Sequence, residues 1–227
     1  MIDAVIFDLF GTLVDAPTHG HRTGAVAELA RAAHRPEDVV DAYLSNSWTA
    51  RHDGTLATVG DLAEHCVVHT GSCATVDGVA QTWRALATAR LVPDPTVIAA
   101  LQALRDVGVE VGLISDAGAE VAEAWPDSPL AGLVDHAVFS CTSHAIKPAP
   151  DLYLRALSAL GAESATSLYV GDGGGDELHG AETLGISAIK VMRRGGDRAL
   201  AYGESNLWAG PVIAGVEELP GLVRVGA

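Results

Sequence analysis

Asp8 follows the apolar run Val5-Ile6-Phe7 and precedes Leu9-Phe10-Gly11-Thr12-Leu13, so a carboxylate stands at the tip of an extended segment, just before a glycine that permits a tight turn. A carboxylate placed there serves as a nucleophile or a hard-metal ligand, or simply caps the turn that follows. Ser115 ends the run Val109 to Ile114, and Lys147 opens Lys147-Pro148-Ala149-Pro150 shortly after a run ending at Ser140. A hydroxyl donor and a fixed cation are what a tetrahedral anion needs for orientation and neutralisation. Ser115 by itself equally suits a helix N-cap. Lys147 is more telling, because the chain has one other lysine, Lys190, and uses arginine for every other fixed cation. In Gly171-Asp172-Gly173-Gly174-Gly175-Asp176-Glu177, three acids share a glycine-rich turn. Such a turn suits Mg²⁺, which prefers oxygen ligands, while the glycines alone also suit a phosphate cradle.

The elements that must position these residues are short β-branched runs: Ala4 to Phe7, Val109 to Ile114, His136 to Ser140, Ser167 to Val170 and Ser187 to Val191. Each leads through a polar or glycine-containing turn into a helical pattern, which predicts a parallel sheet covered by helices on both faces. Ligands of such sheets bind beyond the carboxyl ends of the strands, where Asp8, Ser115 and Asp172 fall. From about Asp15 to Arg90 the alternation gives way to amphipathic helices at Gly24 to His34, Pro36 to Arg51, Thr58 to His69 and Val76 to Ala89. The expected organisation is therefore a core from residues 1–14 and 91–227 with a helical cap, residues 15–90, inserted after the first strand. Gly203 to Pro211 reads as a surface loop and Val212 to Val216 as an edge strand.

With 14 Lys and Arg against 29 Asp and Glu, the formal net charge is −15. That field repels polyanions, so nucleic acid is not expected as a partner, whereas a small anion can still be drawn into a locally positive cleft. No apolar stretch has the length of a membrane span, and the opening residues lack a signal-peptide pattern, so a cytoplasmic protein with no membrane partner is expected. Cys66, Cys73 and Cys141 are odd in number and without Cys-x-x-Cys spacing, as reduced structural thiols would be.

Taken together, the Asp-x-x-Gly-Thr segment at Asp8, the strand-end Ser115, Lys147 before proline and the late Gly-Asp-x-x-x-Asp loop at Asp172, in that order, resemble the haloacid dehalogenase superfamily over most of the chain. The resemblance implies a Rossmann-like three-layer α/β core with an inserted α-helical cap domain, and hydrolysis through an aspartyl-enzyme intermediate. It makes Asp8 the nucleophile, with Ser115 and Lys147 holding the transferring group. Mg²⁺ would be held by Asp8, the Phe10 carbonyl and Asp172, with Asp176 and Glu177 as outer ligands. Thr12, Asp116, Arg51, His19 and His21 are the candidate substrate contacts. Arg51 and Arg84 are suited to a second anionic group, and Trp48, His52, Trp83 and Arg90 are also available to the cleft.

The sequence departs from the family's phosphatases at Phe10, where they carry a second Asp that protonates the leaving group and activates water. General acid–base catalysis is worth about 10²- to 10⁴-fold in rate, and Asp15, His19 and His21, at the entry to the cap, are candidates to restore it. Haloacid dehalogenases also have an aromatic residue, usually Tyr, in that position, but they use no metal. The acid-rich turn therefore favours a Mg²⁺-dependent phosphatase acting on a small phosphorylated metabolite, as a monomer or homodimer. A dehalogenase and a non-catalytic binding relative are the alternatives. A phosphonate hydrolase is excluded by the lack of a cap lysine for Schiff-base formation.

Overall fold

The computed structural model describes residues 2–192 and 208–225. The chain opens with β1 (Ala4–Phe7), leaves the sheet through α1 (His19–Ala33), α2 (Glu37–Asn46), α3 (Trp48–His52), α4 (Val59–Thr70) and α5 (Val76–Arg90), and returns through α6 (Pro95–Arg105). It continues as β2 (Glu110–Ser115), α7 (Ala119–Ala124), β3 (His136–Phe139), α8 (Ser140–Ser143), α9 (Pro150–Leu160), β4 (Ser167–Gly171), α10 (Glu177–Thr183) and β5 (Ser187–Val191). Past the undescribed residues it ends with β6 (Val212–Ile213) and α11 (Leu219–Val225).

The described strands form one parallel sheet in the order β3-β2-β1-β4-β5-β6. Phe7 pairs with Leu113 of β2 and with Val170 of β4, so β1 is central and its carboxyl end meets those of both neighbours. The period-2 geometry of strands divides their side chains between two layers. Val5, Phe7, Val111, Leu113, Leu168 and Val170 pack with Leu101 and Leu104 of α6 and Leu219 of α11. Ile6, Ile114 and Tyr169 face the other way, onto Leu152, Tyr153 and Ala156 of α9 and Leu178 and Ala181 of α10. Burial on both faces explains why these strands read as continuous apolar runs. Each such fully buried Leu, Ile or Phe contributes roughly 1.5–3 kcal/mol over an exposed one. Gly112 sits where a Cβ would come within 2.8 Å of Leu160 Cδ1, so a glycine there lets α9 seat on β2.

The inserted helices have a core of their own. Val26 and Leu29 of α1, Val40 and Leu44 of α2, Leu62 and Cys66 of α4 and Val79 and Trp83 of α5 pack together, joined by Ala119 from α7. Helix α1 begins five residues earlier than its apolar pattern predicts, because Thr18 and His21 form a reciprocal capping box. The predicted helix from Pro36 to Arg51 divides at Ser47 into α2 and α3. The Arg51 guanidinium closes that break by donating to Ser47 Oγ and the Leu44 carbonyl. At the far end β6 is shorter than expected, and the predicted loop at 203–211 lies largely outside the described residues. All three cysteines are free thiols; Cys66 and Cys141 are buried, and burial pushes both up to about 11, as inert packing residues. Among the described residues no helix is long and apolar enough to cross a membrane.

Candidate active site

The carboxyl end of the sheet gathers Asp8 from the tip of β1, Ser115 from the end of β2, Lys147 from the segment before α9, Asp172 from the turn after β4 and Glu177 from the start of α10. All five are buried, and Glu177 has no exposed surface. Lys147 Nζ donates to Asp8 Oδ1 at 2.6 Å and to Glu177 Oε2 at 2.5 Å. Thr12 Oγ1 donates to the other Asp8 oxygen at 3.1 Å, and Asp116 Oδ1 accepts the Lys147 backbone N–H at 3.0 Å. Glu177 also accepts from the Tyr169 hydroxyl and the Gly173 N–H, each at 2.9 Å. The lysine is thus fixed by its backbone and its ammonium group at once.

The electrostatics follow from packing several carboxylates round one ammonium group. Burial pushes Asp8 up, Lys147 pulls it down, and the Asp172 charge pushes it up again. Burial and Asp8 push Glu177 up to about 8, against the pull of Lys147. Lys147 loses from burial but gains more from Asp8, Glu177 and Asp116, which hold its ammonium charged well above its ordinary range. Single ligand oxygens of Asp8, Asp172 and Glu177 lie within 4.8 Å of one another. Three buried carboxylates therefore meet at one point, two of them paired with the Lys147 ammonium.

Beside this cluster opens a cleft of 440 Å³, within the usual range for small-molecule sites. Asp8, Phe10, Ser115, Asp116, Lys147, Asp172 and Glu177 form its core-side wall, and Trp48, Arg51, His52 and Arg90 come from the inserted helices. Ser115 Oγ is buried and makes no hydrogen bond, although a buried hydroxyl without a partner costs about 1–3 kcal/mol. Burial and the Arg51 charge push His52 down to about 4, so this wall presents a neutral imidazole. The Arg90 guanidinium lies 4.1 Å over the Phe10 ring. Glu120, from the first turn of α7, also lines the cleft, with a buried Oε2 that makes no hydrogen bond.

The geometry redistributes some of the expected roles. Asp176 is turned outward and pairs with His179 at 2.9 Å, whereas Glu177, expected as an outer ligand, is wholly inside. The cause is local: Gly173, Gly175 and Asp176 all have positive φ, and this coil carries the chain past Asp176 before α10 starts. Thr12 donates its hydroxyl to Asp8 and is not among the residues lining the cleft. His19 and His21 are exposed at the start of α1, where the His21 ring accepts the Thr18 N–H; the cleft wall beside them is Ala16 and Pro17. Arg84 is exposed and pairs with Glu123, and Trp83 is buried with Arg51 over its ring, so neither lines the cleft. Glu120 and Tyr169 carried no sequence signal: an acid in the first turn of a helix and a tyrosine within an apolar strand both have ordinary reasons to be there.

A parallel α/β sheet that buries a strand-end aspartate against a lysine and two further carboxylates, beside a cleft walled by inserted helices, defines a class of enzyme site. The family follows from the sequence match: the chain belongs to the haloacid dehalogenase-like hydrolases, whose family model matches residues 2–183. Among solved structures it is similar to a haloacid dehalogenase-type phosphatase from Thermococcus onnurineus, with TM-score 0.67 and 20% identity over 98% of each chain. It is also similar to a 2-haloacid dehalogenase from Pseudomonas syringae pv. Tomato DC3000, with TM-score 0.71 and 21% identity over 100% of each chain. A third likeness is to the L-2-haloacid dehalogenase of Xanthobacter autotrophicus, with TM-score 0.65 and 24% identity over 100% of each chain. At these identities the likeness is one of fold. No functionally curated protein matches the chain.

Proposed function

We propose that this hydrolase is a Mg²⁺-dependent phosphatase acting on a small phosphorylated metabolite through an aspartyl-phosphate on Asp8, with residues 15–90 as a cap over a core of 1–14 and 91–227. The observation that carries the reading is the convergence of buried carboxylates: single ligand oxygens of Asp8, Asp172 and Glu177 lie within 4.8 Å of one another. A dehalogenase displaces halide without a metal and so needs no such set of metal ligands. A hard divalent cation fits an all-oxygen donor set of this kind, held by Asp8, Asp172 and Glu177 and, as the resemblance implies, the Phe10 carbonyl. When bound, Mg²⁺ supplies positive charge to the transferring phosphoryl group.

The protein's own groups divide the remaining work. Asp8, paired with Lys147 and aligned by Thr12, is the nucleophile. The free Ser115 hydroxyl donates to a non-bridging phosphoryl oxygen, and Lys147 balances the charge that gathers there. Asp116 fixes the lysine's backbone and so its distance from Asp8. Substrates reach this centre past Trp48, Arg51, His52 and Arg90.

Phosphate release from aryl and alkyl phosphate esters, measured with Mg²⁺ and with EDTA, tests the reading; Mg²⁺-dependent release supports it. Phe10 favours the alternative of a metal-independent 2-haloacid dehalogenase, because a halide leaving group needs no acid. Halide release in EDTA without phosphatase activity would replace the present reading with that one.

Two further results are expected. Mg²⁺ at about 100 times its Kd should stabilise the fold by roughly 2.7 kcal/mol, visible as a rise in Tm. Glu177, raised to about 8, binds a proton below that pH, and the metal must displace it, so the rise should be larger at pH 8 than at pH 6. A Tm indifferent to Mg²⁺ at both pH values counts against the assignment. Ser115→Ala should lower kcat by about 10²- to 10³-fold, as loss of a transition-state donor does. It should leave thermal stability unchanged or raised, since the hydroxyl it removes is unpartnered. A large fall in Tm would show instead that the serine is structural.

A further inference from the structure

Glu120 is a buried carboxylic acid on the cleft wall, its carboxyl lying over Gly118 at the start of α7, where a Cβ would clash with it. It is 8% exposed, and its Oε2 is buried with no hydrogen-bond partner. Leaving such an oxygen unsatisfied costs about 1–3 kcal/mol, and more when the group is charged. Its position is informative. Glu120 lines the same cleft as Phe10, Asp8 and Arg90, whose guanidinium lies 4.1 Å above the Phe10 ring. Phe10 itself can neither give nor take a proton. Besides Arg90, the charged and titratable groups near Glu120 are Arg51 from α3, Tyr43 from α2, Cys141 from α8 and Glu123 from its own helix. Glu123 is engaged with the Val59 N–H and Arg84. Burial pushes Glu120 up by more than Arg51 and Arg90 pull it down, so it keeps its proton to higher pH than an exposed glutamate.

We infer that Glu120 is the general acid and base of this site, taking the role that Phe10 leaves vacant. The inference rests on the phosphatase reading. In the first step an Asp8 oxygen bonds to phosphorus, the bond from phosphorus to the ester oxygen breaks, and the Glu120 proton passes to that oxygen, releasing the alcohol. In the second, the Glu120 carboxylate takes a proton from water as the water oxygen bonds to phosphorus. The bond from phosphorus to Asp8 then breaks, returning a free Asp8 carboxylate, inorganic phosphate and protonated Glu120.

The test compares two esters on the Mg²⁺-loaded enzyme: an aryl phosphate, whose phenolate departs unaided, and a simple alkyl phosphate, whose alkoxide needs the proton. Glu120→Gln should lower kcat/KM for the alkyl ester by about 10²- to 10⁴-fold and for the aryl ester far less, with Glu120→Asp recovering part of the loss. In the wild type, kcat/KM for the alkyl ester should fall on the alkaline side as Glu120 loses its proton, while the aryl ester shows no such limb. These profiles decide the matter alone if Glu120→Gln does not fold. Equal losses on both esters, or no loss on either, overturn the inference and leave the phosphatase reading standing. Wild-type enzyme that releases phosphate from neither ester removes that reading, and the inference with it.

Discussion

Asp8→Asn should abolish turnover while leaving the protein folded. The substitution preserves shape and removes the charge of the proposed nucleophile, and loss of a covalent nucleophile typically costs roughly 10⁴- to 10⁶-fold in kcat. Lys147 keeps Glu177 as an ionic partner at 2.5 Å, so the variant does not strand a buried cation. The measurement is steady-state phosphate release in Mg²⁺, with circular dichroism as the control for folding. Residual activity within tenfold of wild type would mean that Asp8 is a ligand or a buttress rather than the attacking group.

Lys147→Met should be the most destabilising of the site substitutions. The ammonium group is buried between Asp8 and Glu177, with Asp116 and Asp172 close by, and removing it leaves carboxylates in a low-dielectric interior without their counter-charge. Breaking a buried pair in this way costs about 3–5 kcal/mol. For a protein of this size that corresponds to a fall in Tm of roughly 6–20 °C in EDTA. Excess Mg²⁺ should restore part of the loss, because a divalent ion among the same carboxylates replaces the missing positive charge. A thermal melt in EDTA indistinguishable from wild type would show that the lysine does not hold the cluster together.

The parts of this arrangement that the sequence reveals are those in which one residue type has one physical reason. Strands β1, β2 and β4 are legible because burial on both faces demands largely apolar runs, and the residues that end them must lie at the sheet's carboxyl edge. Lys147 is legible because a nearly lysine-free chain places one before a proline. What the sequence conceals depends on backbone coils and on distant neighbours. Which of Asp176 and Glu177 turns inward is decided by positive φ at Gly173, Gly175 and Asp176, a succession that glycine permits but does not dictate. His21 has the chemistry of a proton carrier but is spent on capping α1. The break at Ser47, which turns Arg51 into the cleft wall, is closed by that same arginine folding back on α2, a contact without a periodic signature. Glu120 looks like any acid in a first helical turn until burial, an unpartnered oxygen and Arg90 above Phe10 set it apart.

These residues make one device: an aspartate paired with a buried lysine, an unpartnered serine hydroxyl in the same cleft, and a cluster of carboxylates compatible with a divalent ion. The most direct test of its central claim is mass spectrometry of peptides from enzyme quenched in acid during turnover of an aryl phosphate with Mg²⁺. The expected result is one phosphoryl group on the peptide containing Asp8, present with Mg²⁺, absent in EDTA and absent from the Asp8→Asn variant. Steady phosphate release with that peptide unmodified throughout would contradict the account.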